Sequence, residues 1–141
     1  MKTLIILLLA LLALPAFSQN KATEKVKAAL DGQVNAWNSG KLEEAMAYYH
    51  NSPELLWISR TGLEKGYEPI FQSYLIDFKD RSLMGFYNYE PLYIEALSRK
   101  KVYYVYRWKI EQNGKKLMGG VSSQIWKKSN KRWLIFSEHA S

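Results

Sequence analysis

The residues with the clearest chemical potential stand near residue 140, where Glu138 and His139 are neighbours. A carboxylate that is desolvated among aromatic rings has its pKa raised towards the range of a general base. Upstream, Tyr104 or Tyr106 could donate a hydrogen bond to the oxyanion of an enol-forming reaction. Glu138, Tyr104 and His139 are therefore the candidate catalytic residues. The alternative interpretation is a solvated Glu138 beside tyrosines that pack the core.

His139 is not expected to act together with Glu138. Adjacent residues of a strand point to opposite faces of a sheet, so at most one of them can serve a given pocket. A general-base histidine needs an orienting acceptor, and a metal site needs companion ligands that a sequence with two histidines and no cysteine hardly supplies. We interpret His139 as a hydrogen-bonded structural residue, and we predict no metal site and no cofactor.

The strands that position these residues are predicted from the turn at Asn113-Gly114, a strong signal for a β-hairpin. A two-residue turn there places Ile110 opposite Leu117, and the pairing continues along both strands. The more apolar face of this hairpin and of the next strand is placed against the helices. It carries Val102, Tyr104, Tyr106, Trp108, Val121, Ser123, Ile125, Phe136 and Glu138. The other face carries Ser122, Gln124, Trp126 and His139, and it is a candidate contact with a partner subunit.

Three helices are predicted to cover the inner face. The first spans residues 22–38, with apolar residues at the three- and four-residue steps of an amphipathic helix. Its apolar stripe consists of Val26, Leu30, Val34 and Trp37. Gly40 supplies a C-cap, after which a shorter second helix ends near residue 50. Pro69, with an acidic residue before it, marks the first turn of a third helix.

The remaining strands lie between and after these helices. Residues 55–59 have the composition of a short strand, and Gly62 lies in the turn that reverses it. Residues 84–97 are predicted to form a long strand in which Pro91 requires a bulge, an edge position or an interruption. The order of elements therefore predicts an α+β fold.

A pocket between the helices and the sheet is the main functional prediction. Aromatic side chains occur in several of these elements, and an aromatic lining with few polar groups suits a small hydrophobic or aromatic ligand. The predicted lining is Trp37, Tyr49, Trp57, Phe71, Tyr74, Tyr104, Tyr106 and Ser123. The alternative is that the same side chains fill the space and leave no open cavity.

The first residues have the pattern of a secretory signal peptide. Lys2 precedes an apolar run, and residues 16–18 form a small-x-small cleavage site. The sequence therefore predicts a leader over residues 1–18, a single domain over residues 19–141, and a periplasmic or extracellular location. The apolar run is short for a bilayer span of about 20 residues, so we predict no stable membrane anchor.

The formal net charge is +7, and no cysteine is present. Stability after export must then come from packing alone. Three basic pairs, at residues 100–101, 127–128 and 131–132, are expected at one end of the sheet, where they could hold an anion or simply keep strand ends soluble. Nucleic-acid binding is not expected, because the chain contains no recognised nucleic-acid-binding module.

Several segments resemble one known family. Residues 49–55, Gly66-Tyr67, the pair Gly119-Gly120 and residues 133–141 are similar to the SnoaL-like branch of the nuclear transport factor 2-like superfamily. The resemblance implies a cone-shaped α+β fold with three helices on a strongly curved, mostly antiparallel sheet. It also implies a pocket inside the cone and, in many relatives, a homodimer formed through the outer face of the sheet.

The resemblance does not decide the function, because this superfamily contains isomerases, cyclases and dehydratases as well as domains without catalysis. The first hypothesis is an exported domain that binds a small hydrophobic molecule or self-associates without catalysis. The alternative is a cofactor-independent isomerase, cyclase or lyase that acts on a small carbonyl compound through Glu138.

Overall fold

The structure is a computed structural model that describes the backbone of residues 2–141 and the side chains of residues 19–141. The predicted leader, residues 1–18, lies outside the residues whose side chains are described, so the prediction of a signal peptide is not tested. Within the described part of the chain, no helix combines the length and the apolar character needed to cross a bilayer.

Over the residues that the structure describes, there are three α-helices, one 3₁₀ helix and six strands. The helices are α1 (Lys2–Asn38), α2 (Leu42–Met46) and α3 (Tyr67–Asp77), with the 3₁₀ helix at Arg81–Met84. The strands are β1 (Leu56–Ser59), β2 (Gly62–Lys65), β3 (Phe86–Ser98), β4 (Lys101–Gln112), β5 (Lys115–Ser129) and β6 (Arg132–Ala140). The third helix follows the β1–β2 hairpin, so it does not precede the whole sheet.

The six strands form one sheet in the order β2-β1-β6-β5-β4-β3. All neighbours are antiparallel except β1 and β6, which run parallel. The parallel pair brings Trp57 beside Glu138. The pairing of β1 with β6 therefore joins the N-terminal half of the chain to the strand that carries the candidate carboxylate.

The first helix packs on the sheet through the stripe predicted for it. Val26 and Leu30 are fully buried, and Val34 is nearly so. Burial of such side chains contributes about 1.5–3 kcal/mol each. The second helix is shorter than predicted, because the main chain after it joins the sheet: Ile135 N donates to the Tyr48 carbonyl, and His50 N donates to the Ile135 carbonyl, both at 2.8 Å.

A β-bulge changes the register predicted for the β4–β5 hairpin. The turn at Asn113-Gly114 forms as expected, with φ values of 51° and 75°. Beyond it, however, Ile110 pairs with Met118 rather than with Leu117, because Leu117 is an extra residue in β5. One extra residue reverses the alternation of side chains along the rest of a strand.

The prediction for the two faces of β5 is therefore wrong. Ser122, Gln124 and Trp126 are buried on the inner face beside Tyr104 and Tyr106. The residues expected there, Val121, Ser123 and Ile125, lie on the outer face instead. This exchange gives the interior a polar amide and a tryptophan that the sequence analysis had assigned to a subunit contact.

A second bulge, in β6, brings Glu138 back to the face that was predicted for it. Trp126 pairs with Ile135, but Ile125 pairs with Ser137, so Phe136 is an extra residue. Glu138 consequently lies on the inner face, opposite Gln124, as predicted for its side of the sheet. The two deviations cancel at this position, although the neighbours of Glu138 differ from those expected.

Of the three alternatives predicted for Pro91, the structure shows a bulge and an edge position, while β3 itself continues without a break. The register between β3 and β4 shifts between Pro91 and Tyr93. Proline has no N–H to donate to a neighbouring strand, and a bulge removes the need for that hydrogen bond. β3 is also an edge strand, which is where proline is tolerated in sheets.

Candidate functional site

The centre of the candidate site is the carboxylate of Glu138, whose residue is only 3% exposed. The Tyr49 hydroxyl donates to its Oε2 atom at 2.5 Å, and Gln124 Nε2 donates to the same oxygen at 2.9 Å. Charge-assisted hydrogen bonds of this kind are stronger than neutral ones. Ser122 and Tyr106 also act as hydrogen-bond donors to this carboxylate, which lines the adjacent cavity.

Gln124 is the residue that organises the polar interior. Trp126 Nε1 donates to its Oε1 atom at 2.8 Å, which fixes the orientation of the amide. Its Nε2 group then has to serve as donor, and it contacts the Tyr106 hydroxyl at 2.9 Å as well as Glu138. A single amide thus links a tryptophan, a tyrosine and a carboxylate in one network.

Burial is the main influence on the protonation of Glu138, and it raises the pKa of this carboxyl group above its usual value. Hydrogen bonds from Tyr49, Gln124, Ser122 and Tyr106 oppose the rise, because they stabilise the ionised form. Desolvation outweighs them. The group is therefore poised to take up a proton more readily than an exposed glutamate does.

Four tyrosines around this carboxylate have raised pKa values. Burial is the largest cause for each, and the negative charge of Glu138 is the second. They are Tyr49, Tyr74, Tyr87 and Tyr106. All four hydroxyl groups consequently stay protonated near neutral pH and can act as hydrogen-bond donors.

A cavity of about 280 Å³ opens beside Glu138 between the helices and the sheet. Its walls are mostly apolar, and aromatic rings form a large part of them. The non-tyrosine rings are Trp37, Trp57, Phe78 and Trp108, and the same four tyrosines complete the aromatic lining. The polar side chains around it include Gln33, Asp77 and Ser122 together with Glu138.

The rings are held by contacts outside the cavity and by each other. Trp37, at the end of α1, donates its Nε1 hydrogen to the Met84 carbonyl at 3.1 Å, so the polar edge of this indole is already engaged. Its ring meets Phe78 edge-on at 5.0 Å between centroids. Trp57 and Tyr74 meet similarly at 5.8 Å. Edge-to-face contacts of this kind are favourable for aromatic pairs.

The structure brings part of the predicted pocket lining together. Of the predicted residues, the cavity is lined by Trp37, Tyr49, Trp57, Tyr74 and Tyr106. Phe71 lies outside this lining and stacks on Tyr67 at 5.4 Å. Tyr104 is fully buried beside Tyr106 without lining the cavity. Ser123 is on the outer face, because the bulge in β5 turned it away.

The three candidate catalytic residues do not form one group. Glu138 lines the cavity, whereas Tyr104 packs the core away from it. His139 is exposed on the outer face, where it pairs with Ser123 and Ile58. The expectation that Glu138 and His139 have opposite orientations agrees with the structure.

Several site residues were missed by the sequence analysis. Gln124 and Ser122 were placed on the outer face, and Tyr87, Trp108 and Asp77 were not selected. Ser122, Gln124 and Trp126 stand at every second position of β5 and therefore share one face of the sheet. Their polar groups can hydrogen-bond to one another, and this pattern could have predicted a hydrogen-bonded interior. Among the residues with described side chains, no group of three or more His, Asp or Glu side chains is arranged to hold a metal ion.

Comparison with solved structures supports assignment to a superfamily. A nuclear transport factor 2-like protein of unknown function from Shewanella oneidensis MR-1 superposes with a TM-score of 0.80 at 27% sequence identity, over 84% of this chain and 98% of that one. The chain is assigned to the nuclear transport factor 2-like superfamily. No protein-family model and no curated protein matches the sequence significantly.

Two further structures share the fold of this nuclear transport factor 2-like chain at lower identity. A protein of unknown function from Pseudomonas putida KT2440 matches with a TM-score of 0.67 at 11% identity, over 86% of this chain and 87% of that one. A superfamily protein from Salmonella enterica serovar Typhimurium matches with a TM-score of 0.65 at 17% identity, over 86% and 91%. The predicted α+β class with a mostly antiparallel sheet is confirmed.

Proposed function

We propose that this protein binds a small, largely apolar molecule in the cavity beside Glu138. The observation that carries the proposal is a cavity of about 280 Å³ between the helices and the sheet, whose apolar walls include eight aromatic side chains. Apolar walls with a few converging polar groups are typical of small-molecule sites.

The polar groups at the cavity support the proposal. The Glu138 carboxylate lines it together with Gln33, Asp77 and Ser122. A ligand with an apolar body and one or two polar groups therefore fits the site.

Blocking the cavity should abolish binding. Ala140 lines the cavity from the end of β6, so Ala140→Phe is expected to place a ring inside it. The matched control is His139→Phe, which adds the same ring to the exposed outer face one residue earlier. Excess indole should raise the thermal unfolding midpoint of the wild-type chain and the control, because a ligand that binds the folded state stabilises it, but not that of Ala140→Phe.

The same three proteins should be analysed by native mass spectrometry for molecules that copurify with the full chain. We expect a bound small molecule in the wild type and in His139→Phe, and its loss in Ala140→Phe. A midpoint that indole shifts equally in all three proteins would contradict binding in this cavity.

General-base catalysis by Glu138 is the second candidate function. It is favoured by the burial of the carboxyl group, by its raised pKa and by the tyrosine donors that stay protonated around it. The Glu138 carboxylate could remove a proton next to a carbonyl group while Tyr106 or Tyr87 stabilises the enolate oxygen. Such a reaction needs no cofactor.

The titration of Glu138 tests this second candidate. We expect the ¹³C chemical shift of its carboxyl carbon to titrate at a higher pH than those of the exposed glutamates, since burial favours the neutral form. Glu138→Gln identifies the signal, because that variant lacks it. An ordinary glutamate value for Glu138 would exclude the general-base hypothesis and leave the binding function intact.

We also propose self-association through the outer face of the sheet. Val121, Ser123 and Ile125 lie in the middle of this face, and Val121 is 36% exposed. They replace the residues that the sequence analysis had assigned to this contact. Export directed by residues 1–18 and membership of the SnoaL-like branch are further proposals, which rest on the sequence pattern alone.

A further inference from the structure

The charge around the cavity is opposite in sign to the charge of the whole protein. The chain has 20 Lys and Arg residues against 13 Asp and Glu residues. The described side chains around the cavity nevertheless include the carboxylates of Glu138 and Asp77 and no lysine, arginine or histidine. Glu64 on β2 also acts electrostatically on the Tyr74 hydroxyl in this wall. An anionic ligand would meet repulsion without any compensating cation.

Aromatic rings form much of the cavity lining. Eight of the lining side chains are aromatic, among them Trp37, Trp57 and Trp108. The face of an aromatic ring carries the negative part of its quadrupole, and tryptophan attracts cations most strongly. Because Trp37 Nε1 is bonded to Met84, its hydrogen is not directed at a ligand.

Aromatic walls around a carboxylate are the arrangement that proteins use to bind organic ammonium ions. A neutral apolar ligand would offer the Glu138 carboxylate no electrostatic attraction. A cationic nitrogen beside this carboxylate would offset its desolvation and would favour its ionised form. The uncharged body of the ligand would contact the remaining rings.

We propose that the ligand of this cavity is an organic ammonium ion with an aromatic or alkyl body, held by the aromatic walls and by the Glu138 carboxylate. This inference rests on the proposed binding function and narrows it to one class of ligand.

Three probes of nearly equal shape test the inference on the full chain near neutral pH. They are benzyltrimethylammonium, its neutral carbon isostere 2,2-dimethylpropylbenzene, and the anion benzylsulfonate. Binding is followed by the fluorescence of the tryptophans around the cavity. We expect the cation to bind about tenfold more tightly than the isostere, as a desolvated cation–π contact allows, and the anion to bind most weakly.

Two variants locate the effect. Glu138→Gln should weaken the cation about tenfold and leave the affinity of the isostere unchanged, because the amide retains the shape and an acceptor for Tyr49. Asp77→Asn changes an exposed residue at the cavity and keeps the inference testable if the buried variant fails to fold. It should weaken the cation about two- to threefold. Glu24→Gln, a surface change of the same charge away from the cavity, is the control and should have no effect.

The outcomes separate the two proposals. Equal affinity for the cation and the isostere, or equal weakening of both by Glu138→Gln, would overturn the ammonium class while the binding function stands. Both proposals fail if none of the three probes binds and if indole does not raise the thermal unfolding midpoint of the wild-type chain above the effect that it has on Ala140→Phe.

Discussion

Replacing Trp126 by alanine is expected to lower the free energy of unfolding by about 3–5 kcal/mol, the usual cost of truncating a buried tryptophan. The side chain is fully buried and belongs to the largest in the core. Its loss also leaves the Oε1 atom of Gln124 without the donor that fixes the amide. Urea denaturation followed by circular dichroism measures the change.

The control for this variant is Ile125→Ala, one residue earlier on β5. Ile125 is half-buried on the outer face, so we expect a loss of about 1 kcal/mol or less. Light scattering should show that Trp126→Ala leaves the size of the folded assembly unchanged. An unchanged stability combined with an altered assembly would mean that Trp126 lies on the outer face, as the sequence analysis had expected.

Replacing Gln124 by methionine is expected to cost about 3 kcal/mol near pH 8, because three buried groups lose a hydrogen-bond partner at once. Methionine has a similar length and shape but cannot replace the amide. The groups are Trp126 Nε1, the Tyr106 hydroxyl and the Glu138 carboxylate. Urea denaturation at several pH values gives the free energies of unfolding.

The cost should depend on pH in a defined direction. The hydrogen bond from Gln124 lowers the pKa of Glu138 against the rise that burial causes, so its removal raises this pKa further in the folded protein. A carboxyl group whose pKa is higher in the folded protein than in the unfolded chain stabilises the folded state at pH values below its unfolded-state pKa, about 4.3. This contribution is lost as the pH rises through the pKa of the group in the folded protein. The variant should therefore lose about 1 kcal/mol less near pH 4 than near pH 8, since a neutral carboxyl group makes weaker hydrogen bonds.

Gln112→Met is the matched control, because Gln112 lies in β4 and makes one hydrogen bond, to the Ser82 carbonyl at the surface. We expect a cost of about 0.5–1 kcal/mol without pH dependence. A Gln124→Met variant with the same small, pH-independent cost would show that the buried network contributes little to stability.

These two experiments concern the part of the structure that the sequence did not reveal. The turn at Asn113-Gly114 was recognised, because its residues tolerate positive φ. The bulge at Leu117 was not, since a bulge depends on how a strand fits its neighbours and on the twist of the sheet. That one residue decided whether Gln124 and Trp126 belong to the core or to the surface.

The orientation of Glu138 was predicted correctly from an incomplete argument. A regular ladder predicted an inward carboxylate beside Ser123, whereas the structure has two bulges whose effects cancel. The direction of the side chain was therefore right and its partners were wrong. The partners matter for chemistry, because hydrogen bonds from Tyr49 and Gln124 lower the pKa of the carboxyl group against the larger rise that burial causes.

The sequence by itself determined the elements and their class. The spacing of Val26 and Leu30, the glycine and proline signals and the closing strands are local properties, and local properties are readable from local residues. The tertiary structure alone decided the register of β5 and β6, the open cavity and the carboxylate with its aromatic surroundings. Those features depend on contacts between residues far apart in the chain, such as Tyr49 with Glu138, which no local pattern encodes.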